Sequence, residues 1–173
     1  MLTEQVLLDC YQRLEKPLYN MLYRMLWHSQ DCQDLLQEAF LKVWQQGANL
    51  ELQTLDAYVY STAMNLARNK IRWRMNWLFD NLDPVLEQLF GTDTPENTLM
   101  QQQQQQLLRK ALAVVSAKER EVLLLTEYSE LTLADVAVVL QIPPGTVASR
   151  RNRALKQLQQ QLLILNKEQP DAD

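Results

Sequence analysis

The fold of this chain is decided by residues 132–154, Thr132-Leu-Ala-Asp-Val-Ala-Val-Val-Leu-Gln-Ile-Pro-Pro-Gly-Thr-Val-Ala-Ser-Arg-Arg-Asn-Arg-Ala154. Thr132 stands three residues before Asp135, which is the spacing of a helix-capping box, and apolar residues then recur at helical intervals. Pro143 and Pro144 cannot continue a helix interior, but they suit a turn and the first position of a new helix. The stretch therefore predicts two short helices joined by a tight turn, a helix-turn-helix.

The second of these helices carries hydrogen-bond donors that suit DNA phosphates and base edges. These residues are Thr146, Ser149, Arg150, Asn152, Arg153 and Lys156. Between residues 136 and 167 the sequence holds five basic residues and no acidic one, although the formal net charge of the chain is -4. This basic strip (Arg150, Arg151, Arg153, Lys156, Lys167) indicates a surface for a polyanion. The alternative is an ordinary amphipathic helical hairpin with a solvated basic face.

The length of 173 residues allows two small domains or one medium one. Hydrophobic residues make up 47%, but no apolar run approaches the length of about 20 residues that crosses a bilayer. The start, Met-Leu-Thr-Glu-Gln, lacks the basic residues of a signal peptide, so we expect a cytoplasmic protein with no direct membrane insertion. Cys10 and Cys32 match no metal-ligand spacing, and we interpret both as small apolar core residues.

The chain has three glycines and no sustained alternation of apolar and polar residues, so the sequence predicts an all-α fold. Two start signals stand out: a cap and first-turn proline at Thr94-Pro95-Glu96, and a capping box at Ser116-Ala-Lys-Glu119. The predicted helices span about 3–28, 32–46, 55–78, 96–115, 117–129, 132–140 and 145–164.

Residues 80–100 have the composition of a linker, with Pro84, Gly91, Pro95 and several acidic residues in a weakly periodic stretch. We therefore expect two small helical domains, at 1–79 and 101–173, joined by this acidic linker. The glutamine run at 101–106 leads directly into leucines, and we interpret it as a solvated helix start without its own function.

The helix at 32–46 is predicted to bury Leu35, Ala39, Phe40 and Val43, with Trp44 a further candidate. It then exposes an outward stripe made of Asp34, Gln37, Glu38, Leu41 and Gln45. A polar stripe with a leucine in it suits a protein partner. The alternative is a solvated face with one stray apolar residue, which is common on any protein surface.

The helix at 55–78 carries a second cluster of cations, the N-terminal basic patch of Arg68, Lys70, Arg72 and Arg74. Spacing places Asn65, Arg68 and Arg72 on one face, with Trp73 and Trp77 beside Lys70 on a neighbouring one. Aromatic rings next to cations can stack on unpaired bases. The alternative is that both tryptophans pack in the core or against the linker.

Four segments, in this order, resemble the extracytoplasmic-function sigma factors of bacteria. They are DCQDLLQEAFLKVW (31–44), AYVYSTAMNLARN (57–69), SAKEREVLLL (116–125) and the helix-turn-helix (132–154). The resemblance spans residues 5 to 163. It implies a sigma region 2-like domain that binds core RNA polymerase and the minus-10 element, followed by a region 4-like domain that binds the minus-35 element.

The resemblance also implies roles for particular residues. A surface for the coiled coil of the largest polymerase subunit would consist of Asp34, Leu35, Gln37, Glu38 and Leu41. The minus-10 element would be read by Asn65, with Arg68, Asn69 and Arg72 following the non-template strand and the loop 47–54 capturing a flipped base. The minus-35 element would be contacted by Thr146, Ser149, Arg150, Asn152, Arg153 and Lys156.

Five positions depart from the pattern of the family. Ala148 and Leu155 stand where the family often has basic residues, and Tyr58 stands for its usual tryptophan. Gln141 stands where many helix-turn-helix units have glycine, and a left-handed backbone there costs about 1–2 kcal/mol for a residue with a Cβ, which favours a reshaped turn. Arg151 lies on the apolar stripe of Val147, Ala154 and Leu158, where we expect its aliphatic stem to be buried and its charge to reach solvent.

The implied partners are core RNA polymerase, promoter DNA and an anti-sigma factor, with no cofactor. The competing function is a free-standing helix-turn-helix regulator whose N-terminal half is a dimerisation or ligand-sensing bundle. An enzyme is not expected, because the best catalytic or metal-binding cluster is His28 with Asp31, Asp34 and Glu38, and the chain has one histidine.

Overall fold

A computed structural model describes residues 2–47, 54–80 and 98–168, without the side chains of residues 78–80. These ranges contain seven helices and no strand, which confirms the all-α prediction for them. The helices are α1 Glu4–Leu26, α2 Ser29–Gln46, α3 Leu55–Asp80, α4 Leu99–Val114, α5 Ala117–Tyr128, α6 Leu133–Leu140 and α7 Pro144–Glu168. The predicted cap at Thr94-Pro95-Glu96 lies outside the described residues, as does most of the predicted linker. The prediction that this helix begins at 96 is wrong, because the non-helical Thr98 caps it and α4 begins at Leu99.

The chain divides into two compact units, the first holding α1–α3 and the second holding most of α4–α7. In the first unit each helix contacts the other two. The side chains at its centre have 1% of their surface exposed or less; they are Leu14, Leu18, Met21, Leu22, Leu26, Val43, Val59, Tyr60 and Met64. Burying a large apolar side chain stabilises a fold by about 1.5–3 kcal/mol, so this cluster holds the three helices together.

The turn between α1 and α2 is built from local hydrogen bonds. Trp27 has a left-handed backbone with φ 53°, and its N–H donates to the Tyr23 carbonyl at 2.7 Å, which ends α1. His28 then caps α2, because its Nδ1 accepts from the Asp31 N–H at 3.2 Å. The one histidine therefore has a structural role, and within the described ranges no group of three acidic, histidine or cysteine side chains could hold a metal ion.

In the second unit α7 packs against α4 and α6. Thr98 and Gln101 form a reciprocal capping box at the start of α4. The predicted box at Ser116 and Glu119 is only half formed: the Ser116 hydroxyl accepts from the Glu119 N–H at 3.4 Å, while the Glu119 carboxylate turns towards α7. The core of this unit consists of Ala111, Leu112, Val115, the run 122–125, Val136, Val139, Val147 and Ala154.

Candidate nucleic-acid interfaces

The helix-turn-helix has the capping and turn chemistry that its sequence predicts, with one difference. Thr132 and Asp135 cap α6 reciprocally, and α7 begins at Pro144. Gln141 adopts the left-handed conformation, with φ 55° and ψ 44°, so the expectation of a reshaped turn is wrong. The N–H of Gln141 donates to the Val138 carbonyl and the N–H of Ile142 to the Ala137 carbonyl, which are the two bonds of a Schellman motif. These bonds hold the turn despite the strain of a side chain at this position.

The predicted minus-35 residues lie along the first three turns of α7. Thr146 and Arg150 are half-buried, and the exposed members of the set are Ser149, Asn152, Arg153 and Lys156. The Ser149 hydroxyl donates to the Thr146 carbonyl at 3.1 Å, which is a bond within the helix. One face of α7 therefore presents cations and amide groups at the helical spacing that groove contacts require.

Two arginines of α7 are paired with acidic residues of α5. Arg153 Nε lies 2.9 Å from Glu119 Oε1, and Arg151 Nη2 lies 2.8 Å from Glu127 Oε1. Arg151 is half-buried, as its place on an apolar stripe predicts, but its charge meets a carboxylate. The sequence showed no acidic residue from 136 to 167, and this count missed both partners because they come from an earlier helix. The basic strip is therefore partly neutralised within its own unit.

The predicted minus-10 residues lie on one side of α3. Asn65, Asn69 and Arg72 are exposed, and Arg68 is half-buried. Arg68 Nη1 donates to Asn65 Oδ1 at 3.2 Å, which joins two residues one turn apart on the face that spacing predicted. The structure therefore brings these four side chains to one accessible surface.

Arg74 does not belong to the N-terminal basic patch, and its assignment there is wrong. Its side chain is 3% exposed, Nη1 donates to the Leu26 carbonyl at 3.0 Å, and Nη2 pairs with the Asp31 carboxylate. Arg74 thus ties α3 to the end of α1 and the start of α2. Lys70 reaches the same carboxylate at 3.6 Å.

The two tryptophans of α3 differ in exposure. Trp73 is 54% exposed, so its packing in the core is excluded, and the Lys70 ammonium lies 5.1 Å from the centre of its ring. Trp77 is half-buried. A cation beside an accessible indole is the arrangement that stacks on an unpaired base.

The outward stripe of α2 has one member fewer than the resemblance implied. Asp34, Gln37, Glu38 and Leu41 are exposed, but Leu35 is 8% exposed and belongs to the core. The adjoining Trp44, which the sequence made a candidate for burial, is 45% exposed and lies three residues after Leu41. An accessible leucine and tryptophan on neighbouring turns make this face more apolar than its sequence suggested.

Of the loop 47–54, which is predicted to capture a flipped base, residues 48–53 lie outside the described residues, but both flanks are described. The Tyr58 hydroxyl donates to Gln46 Oε1, which links the start of α3 to the end of α2. Leu2 covers Gly47, where an added Cβ would come within 2.7 Å of Leu2 Cδ2. The first of these contacts joins the two flanks of the loop.

Neither cysteine takes part in these surfaces. Cys10 and Cys32 are buried and unpaired with each other, and burial raises the pKa of each thiol to about 12. A thiol with so high a pKa is a poor nucleophile, which agrees with their prediction as core residues. Among the described helices, none is both long and apolar enough to span a membrane.

Comparison with known sequence families gives two matches, one in each unit. The family described as Sigma-70 region 2 matches residues 10–76, and the family described as Sigma-70, region 4 matches residues 105–158. The first match contains the face of α3 with Asn65 and Arg72. The second contains the helix-turn-helix.

Comparison with characterised proteins and with solved structures also gives sigma factors. The chain is 24% identical over 154 residues to the ECF RNA polymerase sigma factor SigW of Bacillus subtilis, covering 84% of this chain and 82% of that protein. It is 28% identical over 134 residues to the RNA polymerase sigma-E factor of Streptomyces coelicolor, covering 77% of this chain and 72% of that protein. The fold resembles the sigma factor RpoE of Bartonella quintana, solved with the anti-sigma factor NepR, at a TM-score of 0.67 and 24% identity over 90% of this chain and 98% of that chain.

Proposed function

The chain belongs to the extracytoplasmic-function group of the sigma-70 family, and from this premise we propose which of its surfaces performs each step of promoter recognition. As a member of that family it binds core RNA polymerase and directs transcription initiation at specific promoters. Sigma factors do this by binding rather than by catalysis. The observation that carries the proposal is the presence of two accessible cationic helices, α3 and α7, in separate units of a chain with a net charge of -4.

The second unit contacts the minus-35 element in the major groove through α7. Arg150, Arg153 and Lys156 provide charge for phosphates, the planar forks of the two arginines suit guanine, and Asn152 suits adenine. Thr146 and Ser149 lie at the N-terminal end of the helix, where hydroxyls and backbone N–H groups approach the DNA backbone.

The first unit contacts the opened minus-10 element through α3. Asn65 reads the flipped base, and Arg68, Asn69 and Arg72 follow the non-template strand. Trp73, which is 54% exposed, adds a stacking surface to this set. Each stacked base contributes about 1–3 kcal/mol, so a single accessible indole matters for holding the opened strand.

The outward stripe of α2 docks onto the coiled coil of the largest polymerase subunit. Asp34, Gln37, Glu38 and Leu41 form this surface, and Leu35 supports it from the core. Trp44 extends it by one turn, since it is accessible and lies next to Leu41 in the helix.

The two DNA-binding domains, 1–79 and 101–173, act together through the linker 80–100. Two weak contacts on one tether bind more tightly than either alone, because the second contact becomes intramolecular. The net negative charge and the neutralised arginines of α7 weaken binding of the isolated chain to DNA. Specific binding is therefore expected only in the holoenzyme.

An anti-sigma protein is the further partner that we propose. Two similar structures are complexes, RpoE with the anti-sigma factor NepR and CnrH with the cytosolic domain of CnrY; the latter has a TM-score of 0.70 and 15% identity. Such a partner would cover the outward stripe or lie between the domains. We place the protein in the cytoplasm, where bacterial core polymerase transcribes.

Run-off transcription tests the proposal. Purified core polymerase is mixed with the full chain and a library of promoter fragments, and transcripts are sequenced to find start sites. We expect starts at a defined promoter set that core polymerase alone does not use. A free-standing regulator, the competing function, gives starts only when another sigma factor is supplied, and that result would refute the proposal.

A further inference from the structure

Glu119 has an unusual environment for an acidic residue in the first turn of a helix. Its side chain is 13% exposed, Oε1 lies 2.9 Å from Arg153 Nε, and Oε2 is buried with no hydrogen-bond partner among the described residues. A buried carboxylate loses its hydration, and one ion pair to a solvent-exposed arginine compensates for only part of this loss. Stability alone therefore gives a poor reason for this arrangement.

The contact constrains Arg153 in a particular way. Glu119 engages Nε, so it does not occupy the two terminal nitrogens of the guanidinium, and the Arg153 side chain is 58% exposed. Recognition of guanine uses two parallel N–H donors of a planar guanidinium. Fixing Nε sets the orientation of that plane before DNA arrives, which reduces the ordering cost of a long side chain on binding.

The pairing also changes what Arg153 contributes. A lone arginine attracts every phosphate, whereas an arginine beside a carboxylate has little net charge and gains most from directed hydrogen bonds. The pair thus shifts the contribution of this side chain from general attraction towards base discrimination.

We propose that Glu119 is a positioning residue for minus-35 recognition, which holds the guanidinium of Arg153 in the orientation that reads a base. This inference rests on the DNA-contacting role of Arg153 under the proposed function. Glu119 itself contacts no DNA in this scheme.

The chain offers a matched control in the second ion pair of the same helix. Arg151 and Glu127 are joined at 2.8 Å, with 38% and 43% of their side chains exposed. Neither residue belongs to the proposed minus-35 set. Glu127→Gln therefore removes one negative charge from the same unit and weakens an ion pair to α7 without touching Arg153.

The experiment uses holoenzymes formed from core polymerase and the full chain. A promoter selected by the wild-type holoenzyme is randomised around position minus 35, and transcripts from the pool are sequenced. Arg153→Ala identifies the positions whose base preference depends on that arginine. We expect Glu119→Ala to lower the preference at the same positions by about 5-fold or more, the lower end of what one bidentate contact provides.

Further variants separate positioning from other roles. Glu119→Gln, whose amide oxygen still accepts from Nε, should keep part of the preference, and Glu127→Gln should keep all of it. Glu119→Ala combined with Arg153→Ala should match Arg153→Ala alone. The urea midpoint of each variant reports any loss of folding.

The possible contrary results are distinct. If Arg153→Ala alters no position, the proposed role of Arg153 fails and the inference fails with it. If Arg153→Ala abolishes a preference that Glu119→Ala retains, only the inference is overturned. A uniform loss at all positions with a lowered urea midpoint would show that the role of Glu119 is purely structural. A stronger base preference in Glu119→Ala would show that Glu119 hinders base contacts by Arg153. Either result overturns the positioning role.

Discussion

Arg72 and Arg74 lie two residues apart on α3, yet the structure assigns them opposite roles, and a paired substitution tests this directly. Arg74 donates to the Leu26 carbonyl at 3.0 Å and pairs with Asp31, and its side chain is 3% exposed. Arg72 is exposed. We expect Arg74→Gln to destabilise the fold and Arg72→Gln to weaken promoter use.

The magnitude follows from the contacts of Arg74. A hydrogen bond that involves a charged group contributes about 1.5–3 kcal/mol, and Arg74 makes two of them. Its loss also leaves the Leu26 carbonyl without this donor. Asp31, which is 18% exposed, then keeps Lys70, at 3.6 Å, as its remaining arginine or lysine partner among the described contacts. Breaking a buried pair in this way costs about 3–5 kcal/mol. A substitution at an exposed site such as Arg72 costs about 0.5 kcal/mol or less.

The assay has two parts. Urea unfolding of the full chain, followed by circular dichroism, gives the change in stability, and run-off transcription at a temperature where both variants are folded gives promoter use. Arg74→Lys serves as an intermediate, since it keeps the charge but loses the planar fork. The reasoning would be refuted if Arg74→Gln left the urea midpoint unchanged and reduced transcription as much as Arg72→Gln does.

Three further predictions concern other parts of the chain. Gln141→Gly should stabilise the second unit by roughly 0.5–1 kcal/mol, because relief of the left-handed strain exceeds the added flexibility of glycine in the unfolded chain. Urea unfolding measures this change in stability, and a destabilised variant would contradict the strain argument. Glu38→Lys should weaken association with core polymerase, measured by gel filtration, while leaving the urea midpoint within about 0.5 kcal/mol of wild type, since Glu38 is exposed; equal association would remove it from the docking surface. Cys10 and Cys32 should resist iodoacetamide at pH 8 in the folded chain and react in urea, and rapid alkylation of the folded chain would show that a thiol is accessible. Because folding raises the pKa of each thiol from 9.0 to about 12, the free energy of unfolding should fall as the pH rises from 9 to 12.

Sequence periodicity and capping signals predicted the helices well because both are local properties. Thr132 with Asp135 and Pro143 with Pro144 bounded α6 and α7 correctly, since a cap or a proline acts within one turn of its own position. The candidate DNA residues of α3 and α7 were found from spacing along single helices together with the resemblance to sigma factors, which alone implied Asn69. Their contacts with DNA stay a prediction.

Several features depended on partners that are distant in sequence. Trp44 was a candidate for burial and is exposed, because which side of α2 faces the core depends on where α1 and α3 pack. Leu35 is buried, as its spacing predicts, and therefore does not belong to the surface that the resemblance implied for it. The sequence does not distinguish Arg74 from its cationic neighbours, but in the structure Arg74 donates hydrogen bonds to Asp31 and to the Leu26 carbonyl.

What the sequence by itself determined is the all-α fold and the order of the helices, since these rest on residue spacing and short-range chemistry, and the family, through the resemblance of four segments to its members. What only the tertiary structure decided is which cations have a carboxylate partner. Arg151, Arg153 and Arg74 meet carboxylates that lie 24, 34 and 43 residues away in the chain. Because electrostatic pairing depends on distance in space, a charge count along the sequence cannot detect it.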